Sequence, residues 1–431
     1  MVKSLPYWWE QASPPTPPPL AVAPRSDVVI VGAGYTGLSA ALTLARAGWS
    51  VQVFDRQRPG EGASTRNGGI ASGNLRPSYR QMQRKFGAAR ASALQAEAKA
   101  AREDLIDFIR REAIDCDFSL SGRFTGAAKA SDYETLAREA DELRQKLGIE
   151  AHAVPQAEQR DVLGTDFYWG GLLRNDIGGL NPAKFYAGMF ARVQQAGATV
   201  HGETAVLGFA AKTGGFKVDT ARGTVAANHV IVGTNGYTDG VDAWLRRRLV
   251  PVRSRIIATA PLSNNLMSEL MPKQVMCSET RQLHYYYRPS PDGTRILFGG
   301  RDGSIAGDPA WPTQHLRRAL ADIFPVLDGV DITHTWWGHV AMNRDMIPRI
   351  FSRDGMRYAV GYCGSGVVWA RWAGQKAAWQ ILGDARGRSA LDFRPPPAIP
   401  LYNGKAWFLP VVFAWLGFKD RLRQLRSRPS A

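Results

Sequence analysis

Cysteine is scarce. Only Cys116, Cys277 and Cys363 occur in 431 residues, with no CxxC pair. That odd count excludes a disulfide framework and a structural zinc site, and it fits a reducing compartment. No other spacing of His, Cys, Asp or Glu marks a metal site. Long hydrophobic runs are also missing. None approaches the ~18–20 residues needed to cross a bilayer, which excludes a polytopic membrane protein. The opening MVKSLPYWWEQ lacks the apolar stretch and small-residue cleavage site of a secretory leader, so a cytoplasmic location is expected. Acidic residues are few: 38 against 54 basic ones, a net charge of +16. Such a balance invites a nucleic-acid reading. No zinc-finger, helix-turn-helix, RNP or KH pattern supports it, so no nucleic-acid partner is expected. No segment repeats at a fixed period. What is present is ordinary globular composition, 45% hydrophobic and 21% charged. The length suits one large core or two interleaved domains.

Residues 12–24 (ASPPTPPPLAVAP) are too rich in proline for helix or central strand and read as an extended lead-in, with ordered structure starting at Asp27. Val28–Val31 form a continuous apolar run, the pattern of a strand buried on both faces. Leu38, Ala41, Leu42 and Ala45 recur at helical spacing, and the helix stops near Gly48. A second strand, Val51–Phe54, ends at Asp55. Helices are predicted over about 81–114, 133–147, 182–195 and 367–382. Short strands are predicted near 198–201, 206–210, 216–219, 224–226, 229–233 and 357–362. The runs RIIATA, LHYYYRP and RILFGG between Pro251 and Gly300 read as strands of an antiparallel sheet.

Gly32-x-Gly34-x-x-Gly37 lies between the first strand and the first helix, where a dinucleotide fingerprint belongs. Gly32 permits the tight turn, Gly34 lets the backbone approach a pyrophosphate, and Gly37 lets helix and strand pack closely. The helix N-terminus then faces the phosphates with unpaired N–H groups. Asp55 stands where a carboxylate accepts hydrogen bonds from a ribose diol. A single fingerprint argues against two separate dinucleotide domains. The loop GEGASTRNGG (60–69) is small, polar and glycine-rich, suited to run along a cofactor, with Arg66 offering a cation to the pyrophosphate.

VVIVGAGYTGLSAALTLARAG followed by GEGASTRNGG resembles the FAD-dependent amine and amino-acid oxidoreductases of the D-amino-acid-oxidase/glycine-oxidase superfamily. Within it, the chain is most similar to the gamma-glutamylputrescine oxidase-like branch, where Gly usually stands in place of Thr65. The likeness continues through IDCDFSLSGRFTGA (114–127), NPAKF (181–185), VGTNGYT (232–238), YYYRPSPDGTRILFGGR (285–301) and GYCGSGV (361–367). It implies an α/β protein of the D-amino-acid-oxidase/glutathione-reductase type. In that fold a Rossmann-like FAD-binding domain (25–95, 165–245 and 336–392) is interleaved with an antiparallel-sheet substrate domain (96–164 and 246–335). The lead-in 1–24 and an apolar, basic segment 393–431 flank them. The implied FAD contacts are Gly32, Gly34, Tyr35, Thr36 and Gly37, then Asp55 and Arg56. The loop adds Ala63, Ser64, Thr65, Arg66, Asn67, Gly68 and Gly69, and a late glycine turn adds Gly364, Ser365, Gly366 and Val367. Relatives with covalent flavin carry a Cys in a stretch similar to 337–345, which has none here, so noncovalent FAD is expected.

The implied chemistry is oxidation of an amine C–N bond by hydride transfer to flavin N5, hydrolysis of the imine, and reoxidation by O2 or a quinone. The amine would be gamma-glutamylputrescine-like or another primary or secondary amine. A D-amino-acid or glycine dehydrogenase or oxidase of the same fold is the rival within enzymes, and a tRNA-modifying flavoprotein the rival of another class. No dedicated base stands out. Candidates for the pocket wall are His284, Tyr285 and Tyr287 on one predicted strand, Arg301 as a carboxylate anchor, and His339; ordinary sheet packing or surface ion pairs are the plainer alternatives. Strand alternation would put Tyr285 and Tyr287 on one face and His284, Tyr286 and Arg288 on the other. The stretch 407–418 is apolar and aromatic, followed by Lys419, Arg421, Arg423, Arg426 and Arg428. It reads either as a peripheral anchor on the inner membrane face, through residues 407–428, or as a helix packed on the body.

Overall fold

The apolar run at the start of the first strand needs neighbours on both sides. In the computed structural model, which describes residues 2–301 and 310–425 except the side chains of 311, 312 and 421–425, it has them. Strand β1 (Arg25–Val31) pairs in parallel with β2 (Val51–Phe54) and with the strand Gly223–Val232. Val28, Val29 and Ile30 are fully buried. Helix α1 (Tyr35–Arg46) joins β1 to β2 and lays Leu38, Ala41 and Leu42 into the core. The parallel sheet continues through Thr199–His201 on one side and Met356–Val360 on the other. Antiparallel additions, Val206–Lys212 and Gly215–Thr220 on one branch and Arg349–Arg353 on the other, complete eight strands. Helix Gly366–Ile381 packs across α1, so closely that a Cβ on Gly374 would sit 2.2 Å from the Thr36 carbonyl oxygen.

A second eight-stranded sheet runs in the order 332–342, 250–259, 296–301, 286–289, 276–279, 123–126, 171–174, 151–154. All its neighbours are antiparallel except Met276–Glu279 with Arg123–Gly126. The chain is thus α/β with two mixed sheets. Strands Gly171–Arg174 and Ile332–Met342 belong to the second sheet, so the expected boundaries at 165 and 336 do not coincide with the division between sheets.

Other differences have local causes. The expected strands 224–226 and 229–233 are one strand, Gly223–Val232, held on one side by β1 and on the other by a hairpin partner. The LHYYYRP strand is short, only Tyr286–Pro289. Just before it, the amides of Gln282 and Leu283 donate to Asp420 rather than to a neighbouring strand. Ordered structure also begins earlier than expected. Tyr7–Glu10 form a 3-10 turn with Tyr7 and Trp8 buried, and Lys3 pairs with the strand that carries His334. Residues 12–24 contain no helix or strand.

Candidate functional site

A cavity of about 430 Å³ opens along the C-terminal ends of β1 and β2 and reaches the second sheet. Its floor is the glycine turn. Gly32 has φ +100°, and a Cβ there would lie 3.3 Å from the Gly233 backbone. Gly37 does not line the cavity. A Cβ on it would meet the Gly32 carbonyl oxygen at 1.9 Å, so only glycine lets α1 sit this close to β1. Gly34 is the N-cap of α1 and offers no side-chain cap, which leaves the helix N-terminus facing the cavity. Asp55 is held by two backbone donors, the N–H of Ala33 on Oδ2 (2.8 Å) and of Gln57 on Oδ1 (2.9 Å). Burial raises its pKa against those hydrogen bonds. Arg56 lines the same end and pairs with Asp239 (2.7 Å).

The loop at 60–69 folds over this turn. Ala63–Arg66 form a single helical turn, and Ser64 Oγ accepts from the Tyr35 N–H (3.0 Å). Asn67 braces the loop, donating to the carbonyls of Ala63 and Ser64 and accepting from the Gly69 N–H. Ala63, Ser64, Arg66, Asn67 and Gly68 line the cavity. Thr65 and Gly69 do not, and they support the loop from behind. Thr65 is fully buried beneath the loop, donating to the Gly60 carbonyl (2.7 Å) and accepting from Trp9 Nε1 (2.9 Å). Its hydroxyl thereby ties the loop to the N-terminal segment. The Gly69 carbonyl accepts from Arg288 Nη1 and the Leu180 N–H. Trp8 Nε1 donates to the Asn67 carbonyl (2.8 Å) and Trp336 Nε1 to that of Arg66 (2.8 Å). The Arg66 guanidinium lies 4.6 Å from the Trp9 ring centroid and makes no ion pair among the described residues; burial lowers its pKa.

The late turn closes the opposite wall. Gly361 N–H donates to Asn235 Oδ1 (2.8 Å), and the Tyr362 hydroxyl meets Thr36 Oγ1 at 2.7 Å. Gly364, Ser365, Gly366 and Val367 line the cavity, and Ser365 leaves the N-terminus of the 16-residue helix without a side-chain cap. Two helix N-termini whose own N-cap residues give no side-chain cap, the first with its Tyr35 N–H held by Ser64, therefore converge on one cavity, a field that favours an anionic ligand.

The far wall is explained by sheet register. Gly299 pairs with Tyr286, Tyr286 with Ser278, and Ser278 with Thr125. Paired residues share a face, as do residues two apart along a strand, so Arg301, Tyr286, Ser278 and Arg123 share one face, and all four line the cavity. The Tyr286 ring fits between Gly68 and Gly299, where a Cβ would lie 3.1 and 2.4 Å from it. Its hydroxyl meets Ser254 Oγ at 2.9 Å. His284, Arg301 and His339 line the cavity; Tyr285 and Tyr287 do not. The alternation of the strand sends these two tyrosines to the other side. Tyr287 is fully buried, donating to the Tyr168 hydroxyl and packing on Phe298 and Phe324, while Tyr285 hydrogen-bonds His315. Arg76, Arg123, Ser278 and Tyr286 were missed as site residues. Three of them sit inside the motif stretches that resemble the superfamily or on a strand paired with one, and Arg76 follows the loop in an unpatterned stretch.

Arg76 Nη1 lies 3.5 Å from His284 Nδ1, and the ring also hydrogen-bonds the Gln282 backbone. Burial and the fields of Arg76, Arg301 and Arg123 hold the His284 pKa well below its ordinary value, so it is neutral at pH 7. The carboxylates among the described lining residues are Asp55 and Asp239, both at the β2 end.

The glycine cradle, the two helix N-termini and the pinned Asp55 fit a dinucleotide, and residues 27–380 match the family described as FAD-dependent oxidoreductase (DAO). The chain belongs to that family. It is an FAD-dependent oxidoreductase. It is 31% identical over 401 residues to gamma-glutamylputrescine oxidoreductase of Escherichia coli, covering 92% of this chain and 93% of that protein. It is also 31% identical over 426 residues to "Probable oxidoreductase OrdL" of Rhizobium meliloti, covering 96% and 97%. In fold it is similar to the glycine oxidase of Geobacillus kaustophilus (TM-score 0.72, 20% identity, 88% of this chain and 99% of that one).

Proposed function

We propose that the chain oxidises the C–N bond of a small amine, with O2 or a quinone as final acceptor, and that it holds FAD noncovalently. The observation that carries this reading is a single cavity that joins the dinucleotide cradle to a wall of Arg123, Ser278, His284, Tyr286 and Arg301. FAD, when bound, would supply the two-electron acceptor for the hydride that leaves the carbon beside the amine nitrogen. Asp55 would hold a ribose diol, and Arg66 with the N-terminus of α1 the diphosphate. The N–H groups at the start of the 366–381 helix would stabilise negative charge developing near them.

Among the described lining residues, no carboxylate stands at the substrate end to take a proton. The guanidinium field replaces one. Positive charge nearby disfavours an ammonium and lowers its pKa, so the amine binds neutral, beside His284 and the Tyr286 hydroxyl. Water then hydrolyses the imine to a carbonyl compound and ammonia or an amine. The same guanidiniums favour the amino-acid reading as an alternative, with Arg301 on a substrate carboxylate. Mixing the purified flavoprotein without oxygen with gamma-glutamylputrescine, putrescine, glycine and D-amino acids tests the proposal. Bleaching of the flavin by one of them supports it, and a flavin that none reduces refutes it.

We propose further that the C-terminal helix touches a membrane surface. No helix among the described residues is long and apolar enough to cross one. Helix Leu409–Leu425 is seated by Asp420, which accepts from the amides of Gln282 and Leu283 at 3.0 Å each. It turns Val411 (70% exposed), Trp415 (54%) and Phe418 (53%) outward. The arginines at 426 and 428 lie outside the described residues. Pelleting with anionic vesicles that is lost on deleting 401–431 supports this; unchanged pelleting removes it.

A further inference from the structure

The bend between the strands Met276–Glu279 and Tyr286–Pro289 presents His284 to the cavity. Residues 280–285 belong to no strand, and two carboxylates hold them. Glu279, buried at the end of its strand, accepts from the Arg281 guanidinium and from the Tyr285 N–H (3.0 Å). Asp420, buried on the C-terminal helix Leu409–Leu425, accepts from the N–H groups of Gln282 and Leu283 at 3.0 Å each. The first tie comes from the sheet itself. The second comes from an element 138 residues further along the chain.

The second tie leads straight to the cavity. The His284 ring hydrogen-bonds the Gln282 backbone, so the residue whose N–H Asp420 holds is also one that orients the imidazole. Leu283 lies against the same turn of helix, where a Cβ on Gly417 would meet its Cδ1 at 3.8 Å. A buried carboxylate is costly unless it is hydrogen-bonded. Both Asp420 oxygens have their amide donors only while the bend keeps this shape, and hydrogen bonds to an ionised acceptor are the strong ones.

The other end of the helix is seated behind the same wall. Leu409 is buried in a cluster with Val250, Val252, Met342, Tyr402 and Cys363, and Val340 and Phe413 pack against it. Cys363 and Val340 line the cavity. From Leu409 to Asp420 the helix rises ~16 Å, so it runs from behind the late turn to the bend. The fields of Arg76 and Arg301 reach both Cys363 and His284, which puts both seats at the substrate end.

We infer that Asp420 is a positioning residue for the reaction: it clamps the 281–285 bend from the C-terminal helix and so holds the His284 ring against the cavity. This role rests on the amine-oxidation reading, but the clamp can be measured without turnover. The test labels the full-length, FAD-loaded protein with diethyl pyrocarbonate, follows each histidine by peptide mass spectrometry, and measures hydrogen exchange at residues 282 and 283. In Asp420→Ala both amides should exchange at least ~10-fold faster and His284 should be labelled several-fold faster, while His339, also in the cavity wall, keeps its rate. Asp420→Asn keeps one acceptor and should fall between; flavin content and thermal midpoint verify that each variant is folded. Unchanged exchange at 282–283, or an unchanged His284 rate in both variants, overturns the clamp.

Kinetics then separates positioning from mere support. With an amine that bleaches the flavin, Asp420→Ala should lower kcat/KM about 10-fold in the wild-type background and less than about twofold beside His284→Gln, because the two residues act as one unit. Equal losses in both backgrounds overturn the positioning role and keep the oxidation reading. A flavin that no amine or amino acid bleaches refutes that reading instead, and the His284 labelling rate alone then decides the clamp.

Discussion

Trp9→Phe tests whether the N-terminal segment holds the cofactor loop. The ring would remain, but its Nε1 donor to the fully buried Thr65 hydroxyl, now at 2.9 Å, would go. A hydrogen bond of this kind contributes about 1 kcal/mol net. The Arg66 guanidinium 4.6 Å from the Trp9 centroid adds about 0.5–1 kcal/mol, part of which a phenyl ring keeps. The loss is therefore about 1.5 kcal/mol. Because Thr65 and Arg66 belong to the loop that lines the cavity, that loss falls on the cofactor-binding conformation and weakens FAD about 10-fold. Titrating apoprotein with FAD by fluorescence measures it. A double-mutant cycle with Thr65→Val isolates the contact, because Thr65 also donates to the Gly60 carbonyl, and the coupling expected is about 1 kcal/mol. Unchanged affinity in Trp9→Phe, or a coupling below ~0.3 kcal/mol, would refute the reasoning.

Three further predictions follow from packing and charge. Gly37→Ala places a methyl 1.9 Å from the Gly32 carbonyl oxygen; it should lower the thermal midpoint by several degrees and abolish FAD retention, both read from one melting series with and without cofactor. Tyr287→Phe, at a hydroxyl buried against Tyr168 on the far face, should destabilise the fold by about 1 kcal/mol and leave Michaelis constants unchanged, whereas Tyr286→Phe should alter turnover at near-normal stability; steady-state kinetics beside denaturant titrations separates the two. Glu112 is gripped by Arg46 at 2.7 and 2.8 Å, and the hydrogen bonds from Arg46 hold its carboxyl below the ordinary 4.5 against burial. Its stabilisation is present above that value and is lost as pH falls through the lowered one, so the gap in melting temperature between wild type and Glu112→Gln should be widest near neutrality and should close as the pH is taken below 4.5.

The strand, glycine turn and helix at the front of the chain were legible because each has a local signature. Val28–Val31 announce a strand buried on both faces, the period of Leu38, Ala41 and Leu42 announces the helix, and Gly37 answers a contact that no side chain allows. The N-terminal turn left no such trace. Tyr7, Trp8 and Trp9 have no period, and they are held by tertiary partners, Asp292 and His334 for Tyr7, Asn67 and Arg288 for Trp8 and Thr65 for Trp9. On the tyrosine strand, alternation separated two faces correctly but contained nothing to say which one meets the cavity; the two glycines that admit the Tyr286 ring lie on other segments. Strands Arg123–Gly126 and Gly171–Arg174 are four residues long and contain glycine, too short for periodicity to register. Arg76 and Arg123 carry no signature that sets them apart among many arginines, and only sheet register puts Arg123 on the face it shares with Arg301.

We propose that one cavity, built by the glycine turn, the 60–69 loop and the late turn, holds FAD without a covalent bond. Acid precipitation of the purified protein, with flavin assayed in supernatant and pellet, tests this most directly. One FAD per chain, all of it in the supernatant, is the result expected. Protein that is colourless and takes up no added FAD, or flavin that stays with the precipitated chain, would contradict it.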